Sequence, residues 1–136
     1  MLIQYFSNVH LEFLKTLPTL RPVATIACIA GDIGYPFSEL YKLFHIYLSS
    51  IFQPVFIITG NHEYYAVNEN KDYSMNDINS HIQEIINKNN LSNICFLNNT
   101  CHDYNSTRFV GTTLWTQVTN KNFLINDYKY KRKTTS

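Results

Sequence analysis

Three short polar segments of the sequence combine residue types that bind metal ions. They are Ser7–His10 (SNVH), Gly31–Gly34 (GDIG) and Gly60–Glu63 (GNHE). Imidazole nitrogens, together with carboxylate and amide oxygens, are ligands that manganese, iron and zinc ions accept. A glycine opens the second and third segments, which suits a backbone that turns sharply or comes close to a ligand. The pattern therefore indicates a metal site built from loops.

Five side chains in these segments are the candidate ligands and proton-transfer groups. Residues two apart in an extended segment point the same way, so Asn8 and His10 are expected to reach one ion together. Asp32 can bridge two ions because a carboxylate has two oxygens, whereas Asn61 offers one neutral carbonyl oxygen. His62, beside a ligand but itself free, can act as an acid or base near neutral pH. Taken singly, each segment is ordinary turn chemistry, and the hypothesis depends on their sharing one site.

Apolar, strand-like runs precede all three segments. The runs LIQYF, VATIACIA and VFIITG are followed further along the chain by NICFLNN and RFVGTTLW. Several of them are continuously apolar, which is typical of central strands covered on both faces. The loops that follow the carboxyl ends of parallel strands meet at one edge of the sheet, and ligands bind there. The candidate side chains are therefore expected to converge.

Two helices are predicted between the strands. Residues 37–51 carry apolar side chains at steps of three and four, with Pro36 suited to the first turn and Pro54 beyond the end. Residues 76–89 form the second helix. Its apolar stripe consists of Ile78, Ile82, Ile85 and Ile86.

The order of these elements predicts an α/β fold with a mixed, largely parallel sheet flanked by helices. Parallel neighbours need a crossover connection of a dozen or more residues, and the two helices supply such connections. The polar stretch 98–107, between the last two strands, is expected to be a hairpin-like connection. The 136 residues, of which 45% are hydrophobic, are about the size of one domain.

Composition restricts the partners that the chain is expected to have. A net charge of +1 argues against electrostatic capture of nucleic acid or acidic membranes. The basic cluster at 129–133 leaves nucleic acid as a weaker alternative. No apolar segment approaches the roughly 20 residues of a membrane span, and the N-terminus lacks the features of a signal peptide. Cys28, Cys95 and Cys101 form no CxxC pair, so an intracellular, cytoplasmic setting is expected.

The three polar segments resemble, in order, the motifs of the calcineurin-like metallophosphoesterases. The family's marks are D-x-H, then G-D, then G-N-H followed by Glu or Asp, and the matching stretches are YFSNVHLEF, IAGDIGYP and FIITGNHEYY. The later stretches RFVGTTLWT and LINDYKY resemble segments of one bacterial and viral-type branch of phosphohydrolases. The resemblance covers nearly the whole chain, and the GNHE segment is its most specific part.

The resemblance implies the N-terminal half of a four-layer sandwich fold and metal-dependent hydrolysis of a phosphate ester. In that family pattern, His10 would bind the first of two divalent metal ions and Asp32 would bridge both. Asn61 would bind the second ion, and His62 would either give a proton to the leaving group or steady the phosphoryl oxygens. Glu63 would orient His62. The implied cofactors are manganese, iron or zinc, and the implied partner is a phosphorylated substrate.

One departure from the family pattern lies at Asn8, where the family has an aspartate. The amide keeps one coordinating oxygen but removes a negative charge. Two unit charges about 4 Å apart are worth about 4 kcal/mol at an effective dielectric constant of about 20. The first metal ion is therefore expected to bind more weakly unless another group compensates.

A second departure concerns the family's later histidines, a fourth His and a G-H-x-H motif, which have no counterpart in residues 1–136. His81 and His102 do not occupy the corresponding places, and His45 is expected at the surface or the edge of the core. Residues 1–136 are accordingly expected to be a single, incomplete domain whose uncovered sheet promotes self-association. The alternatives are a catalytically inactive metallophosphoesterase-like binding module and a truncated gene product.

Overall fold

A four-stranded parallel sheet lies at the centre of the computed structural model, which describes residues 1–65 and 73–115. The strands lie side by side in the order in which they occur in the chain. They are β1 (Ile3–Phe6), β2 (Ile26–Ala30), β3 (Val55–Ile58) and β4 (Ile94–Phe96). The predicted α/β fold with a largely parallel sheet is confirmed.

The register of the sheet brings the carboxyl ends of the first three strands to the same level. Phe6 pairs with Ile29, Ile29 pairs with Ile57, and Ile57 pairs with Phe96. Each of β1, β2 and β3 ends at this row or one residue beyond it. The loops that carry the candidate site residues therefore leave the sheet side by side.

Two helices cover one face of the sheet. Helix α1 (Glu39–Ile51) begins after Ser38, whose hydroxyl accepts a hydrogen bond from the backbone N–H of Tyr41. This start lies two residues later than predicted, because Ser38 is the better cap, so Pro36 precedes the helix instead of forming its first turn. Helix α2 (Met75–Lys88) begins after a Ser74 capping box. Its predicted isoleucine stripe is buried, as expected.

The other face of the sheet is covered by a two-stranded antiparallel hairpin. Its strands are β5 (Thr100–Tyr104) and β6 (Thr107–Gly111), and Phe109 stacks on Phe56 of the sheet with ring centroids 4.0 Å apart. The hairpin-like connection predicted at 98–107 therefore contains a strand of its own, β5, which the prediction did not include. β5 has mostly exposed, polar side chains, so it lacks the apolar pattern by which a buried strand is recognised.

The prediction for His45 was also wrong, since the residue is fully buried in α1. The buried stripe of the helix is formed by Tyr41, Phe44, His45 and Leu48, whereas Leu43 is 38% exposed. The His45 Nδ1 lies 2.8 Å from the carbonyl oxygen of Tyr41. A carbonyl can only accept, so Nδ1 carries the hydrogen, and Nε2 has no hydrogen-bond partner among the described residues. Burial lowers the pKa of His45 to about 4.

This buried imidazole makes stability depend on pH. In the unfolded chain His45 takes up a proton near its ordinary pKa of 6.5, whereas the folded protein resists protonation down to about pH 4. Above pH 6.5 the group contributes nothing. As the pH falls towards 4, it is expected to lower the free energy of unfolding by about 3 kcal/mol.

The matched variant for this prediction is His45→Phe, which keeps a planar ring and removes the titration. Burial raises the pKa of Glu63 to about 7, which favours the folded state at low pH and opposes the His45 effect. The measurement is therefore the difference in urea-unfolding free energy between the two proteins at a series of pH values. A difference that stays constant between pH 7 and 4 would contradict the assignment.

Several sequence expectations concern the remaining parts of the chain. The stretch LINDYKY and the basic cluster at 129–133 lie outside the described residues. Cys28, Cys95 and Cys101 are free thiols. In the described part of the chain, no helix has the length and apolar character needed to cross a membrane.

Tyr5 lies on the edge strand β1 and is 80% exposed. Part of the sheet face that the hairpin covers is therefore open to solvent at this edge. Self-association through this face remains a prediction.

Candidate metal centre

Backbone hydrogen bonds join the loop after β1 to the loop after β2. The N–H of Asn8 donates to the carbonyl of Gly31 at 3.2 Å, and the N–H of His10 donates to the carbonyl of Asp32 at 3.0 Å. The N–H of Leu11 continues the series. The parallel pairing of the strands thus extends past their ends, and the first two polar segments lie in register.

Glu63 joins the loops after β2 and β3. Its carboxylate is 1% exposed and accepts three backbone N–H groups, from Ile33 at 2.7 Å, Gly60 at 2.8 Å and Asp32 at 3.1 Å. Burial raises the pKa of Glu63 to about 7, while the amides of Ile33 and Gly60 oppose that shift because they favour the ionised form. Because the carboxylate oxygens accept backbone N–H groups from both loops, Glu63 holds the two loops together.

Two glycines allow the same loops to touch. Gly31 has φ +78°, and a Cβ there would collide with the backbone of Gly60. A Cβ on Gly60 would in turn collide with the carboxylate of Asp32. The sequence predicted that these glycines serve a sharp turn or the approach to a ligand, and in the structure they let the two loops touch, with Asp32 directly against the third loop.

Asp32 connects the loops through its side chain as well. Its Oδ1 accepts the backbone N–H of His62 at 3.0 Å, at the start of the short 3-10 turn His62–Tyr64. Asp32 has φ +54°, a left-handed conformation that aspartate tolerates better than most residues. The carboxylate and the candidate acid are therefore held next to each other.

A buried carboxylate that the sequence interpretation missed lies between the two candidate imidazoles. Oε1 of Glu12 is 3.0 Å from Nδ1 of His10 and 3.1 Å from Nδ1 of His62. The two rings meet edge to face with centroids 4.4 Å apart. The Glu12 side chain is 2% exposed, whereas each histidine side chain is 26% exposed. One ligand atom from each of the three residues lies within 4.8 Å of the other two.

Local backbone structure explains why Glu12 reaches this position. His10 adopts a left-handed conformation with φ +49° and precedes the 3-10 turn Leu11–Phe13, whose first residue is buried. That turn brings Glu12 back towards His10. The sequence signal was available, because a carboxylate two residues after a candidate ligand is itself a candidate. It was not used, because the candidate segment was taken to end at His10.

The two asparagines lie at the same edge in different surroundings. Asn8 has φ +55°, so the expectation that Asn8 and His10 point the same way from an extended segment was wrong. Its exposed side chain donates to the hydroxyl of Ser7 at 2.8 Å. The amide nitrogen of Asn61 donates to the hydroxyl of Tyr65 at 2.6 Å. The predicted residues thus meet at one edge of the sheet, while their roles stay predictions.

The donor set suits a divalent cation. His10, Glu12 and His62 offer two imidazoles and one carboxylate whose ligand atoms lie within 4.8 Å of one another. Asp32, Asn8 and Asn61 carry further oxygens on the same loops. Within 1–65 and 73–115, the ion-pair partners of Glu12 are the two imidazoles, and its Oε2 is buried without a hydrogen-bond partner. Burying a carboxylate with an unpaired oxygen is costly, and a nearby cation would offset that cost. Mixed imidazole and oxygen donors fit manganese, iron and zinc.

Comparison with known proteins gives one relative of undefined function. No protein-family model matches the chain. The chain is 30% identical over 150 residues to an uncharacterized protein of Acanthamoeba polyphaga mimivirus. The match covers 97% of this chain and 52% of the viral protein, so the chain spans about half the length of that relative.

Proposed function

We propose that this chain is a metallophosphoesterase-like domain that hydrolyses a phosphate ester with the help of divalent metal ions. One observation carries the proposal. Asp32 lies against the loop of His62, whose imidazole shares a carboxylate with His10, and these residues follow three adjacent parallel strands. This arrangement agrees with the order of motifs on which the resemblance to the calcineurin-like metallophosphoesterases depends.

The residues divide into those that would hold metal and those that would serve the substrate. His10, Asp32 and Asn61 would hold the ions, with Asn8 adding a neutral oxygen. Bound ions would supply a polarised water and positive charge for the phosphoryl oxygens. Asp32 is fixed for this task, because its Oδ1 is anchored on a backbone N–H and its own N–H on Glu63.

His62 would move the proton in this scheme. Its Nδ1 contacts Glu12, which leaves Nε2 to take up a proton and then give it to the departing oxygen of the ester. The backbone N–H of His62 is bonded to Asp32, so the acid is fixed relative to a ligand carboxylate. The substrate is proposed only as a phosphorylated compound, since the site is built to handle the phosphoryl group. The three free thiols support an intracellular, cytoplasmic setting.

The direct test is hydrolysis by the full 136-residue chain after metal removal. We expect p-nitrophenyl phosphate or bis(p-nitrophenyl) phosphate to be hydrolysed when Mn²⁺ is added, and EDTA to abolish the activity. Asn8→Asp restores a negative charge next to His10 and is expected to tighten Mn²⁺ binding by about tenfold to a hundredfold.

The control for added charge is Asn105→Asp, on the turn of the hairpin, which should leave Mn²⁺ affinity unchanged. The proposal fails if the wild-type chain binds no metal, hydrolyses neither ester, and gains nothing from Asn8→Asp. That result would support a metallophosphoesterase-like binding module without catalytic activity.

A further inference from the structure

Glu12 is in direct contact with both imidazoles of the candidate site. Its Oε1 lies 3.0 Å from Nδ1 of His10 and 3.1 Å from Nδ1 of His62. A carboxylate oxygen accepts and does not donate, so each Nδ1 must carry the hydrogen of its ring. Each Nε2 then holds a lone pair.

From this contact, which rests on the proposed function for its catalytic part, we propose that Glu12 is a shared positioning residue. It holds His10 and His62 together in the Nδ1–H tautomer. The Nε2 of His10 is thereby ready to bind a cation, and the Nε2 of His62 is ready to exchange a proton with substrate. One carboxylate thus prepares a metal ligand and a proton-transfer group at once.

The burial of Glu12 explains why this arrangement would be rigid. Its side chain is 2% exposed, and its Oε2 has no hydrogen-bond partner among the described residues. The two ring N–H groups are therefore the polar contacts that compensate for burial of the carboxylate. Hydrogen bonds to a charged group are stronger than neutral ones, and they strengthen further where water is excluded. Rotation of either ring would break one of the two hydrogen bonds that offset the cost of burying the Glu12 carboxylate.

Glu12 also fills two roles that the family resemblance left open. Glu63 was expected to orient His62, but its carboxylate is bonded to three backbone N–H groups. Asn8 lacks the charge of the family's aspartate, and Glu12 brings a carboxylate to the imidazole of His10 instead. Removal of a carboxylate that accepts the second ring N–H of a metal-binding histidine typically lowers metal affinity or activity by about 10- to 100-fold.

The first test needs no substitution in the site. Nitrogen-15 NMR of the metal-free protein at a pH where the imidazoles are neutral distinguishes Nδ1–H from Nε2–H rings. His10 and His62 are both expected as Nδ1–H. His45 is an internal reference, because its Nδ1 faces a backbone carbonyl. Signals are assigned with His81→Asn and His102→Asn. An Nε2–H ring at His10 or His62 would overturn the proposal.

A matched pair of variants tests the consequence of the contact. Glu12→Leu removes both acceptor oxygens at similar volume, whereas Glu12→Gln keeps one oxygen that can accept both ring N–H groups. We expect that in Glu12→Leu the rings of His10 and His62 are no longer held as Nδ1–H tautomers. Mn²⁺ affinity and kcat should fall by about 10- to 100-fold, with KM changing less. Glu12→Gln should keep the tautomers and most of kcat. Glu39→Gln, on the exposed start of α1, should match the wild type.

The outcomes separate this proposal from the proposed function. Glu12→Gln as damaging as Glu12→Leu would show that charge or direct metal binding matters, and would overturn the positioning role. Retained tautomers in Glu12→Leu would overturn it as well. If both Nδ1–H tautomers are present and the variants change Mn²⁺ affinity as expected, but no ester is hydrolysed, the positioning role stands and the phosphoesterase proposal fails. Far-UV circular dichroism confirms that each variant is folded, and the wild-type NMR result holds even if one is not.

Discussion

Glu63→Ala is expected to lower the free energy of unfolding by about 3 kcal/mol, because three backbone N–H groups, one buried and two partly buried, lose their acceptor. These are the N–H groups of Asp32, Ile33 and Gly60. Each unsatisfied donor costs about 1–3 kcal/mol, and the total is a large part of the stability of a typical small domain. Urea unfolding followed by far-UV circular dichroism measures the loss.

The matched control for Glu63→Ala is Glu84→Ala. Glu84 is exposed on α2 and pairs with Lys88 one helical turn away, and such a pair is worth less than about 1 kcal/mol. Glu63→Gln should lower the free energy of unfolding by less than Glu63→Ala and by more than Glu84→Ala. A glutamine offers one acceptor oxygen where the carboxylate offers two, so its amide nitrogen would face a backbone donor. Equal losses for Glu63→Ala and Glu84→Ala would mean that Glu63 does not hold these loops together.

The sheet and the meeting of its loops could be predicted because they depend on simple properties of the chain. β2 and β3 are apolar over their whole length; Gly31 follows β2 directly, and Thr59 and Gly60 follow β3. Parallel strands that pair in register must end at the same edge, as the row from Phe6 to Phe96 shows. The approach of Asp32 to His62 then follows from the adjacency of β2 and β3.

Features that depend on local backbone conformation could not be predicted in the same way. Asn8, His10 and Asp32 all have positive φ, although none is a glycine. The sequence interpretation treated the first segment as extended, so it paired Asn8 with His10, and it ended that segment at His10, so it left out Glu12. The direction of the Glu63 carboxylate likewise depends on the 3-10 turn that contains it. Neighbouring residues in a motif do not have to contact each other, even when the family pattern pairs them.

Tertiary packing accounts for the other differences between prediction and structure. The buried stripe of α1 passes through His45 because the sheet contacts that side of the helix, and a histidine is not counted in an apolar pattern. β5 is polar because most of its side chains are exposed, while the hairpin contacts the sheet where Phe109 and His102 lie against Phe56. In both cases the position of a neighbouring layer decides burial, and the residue type alone does not.

Asp32→Asn is expected to remove most of the metal-dependent activity while leaving the fold nearly intact. The amide keeps an oxygen that can accept the N–H of His62, so the contact between the two loops survives. The substitution removes a full negative charge from the residue proposed to bridge the ions. The charge is worth several kcal/mol at close range, so Mn²⁺ affinity should fall by about a hundredfold or more.

Isothermal titration with Mn²⁺ and hydrolysis of the nitrophenyl esters measure the two effects of Asp32→Asn, with Asp103→Asn as the control. Asp103 is an exposed residue of the hairpin that pairs with Arg108, so its loss should change neither Mn²⁺ affinity nor hydrolysis. Unchanged Mn²⁺ affinity in a folded Asp32→Asn protein would exclude Asp32 as a ligand. Glu12 is then the remaining carboxylate at this edge that could bind a cation, because the Glu63 oxygens are occupied by backbone N–H groups. The bridging role depends on Asp32 itself, whose carboxylate accepts the backbone N–H of His62.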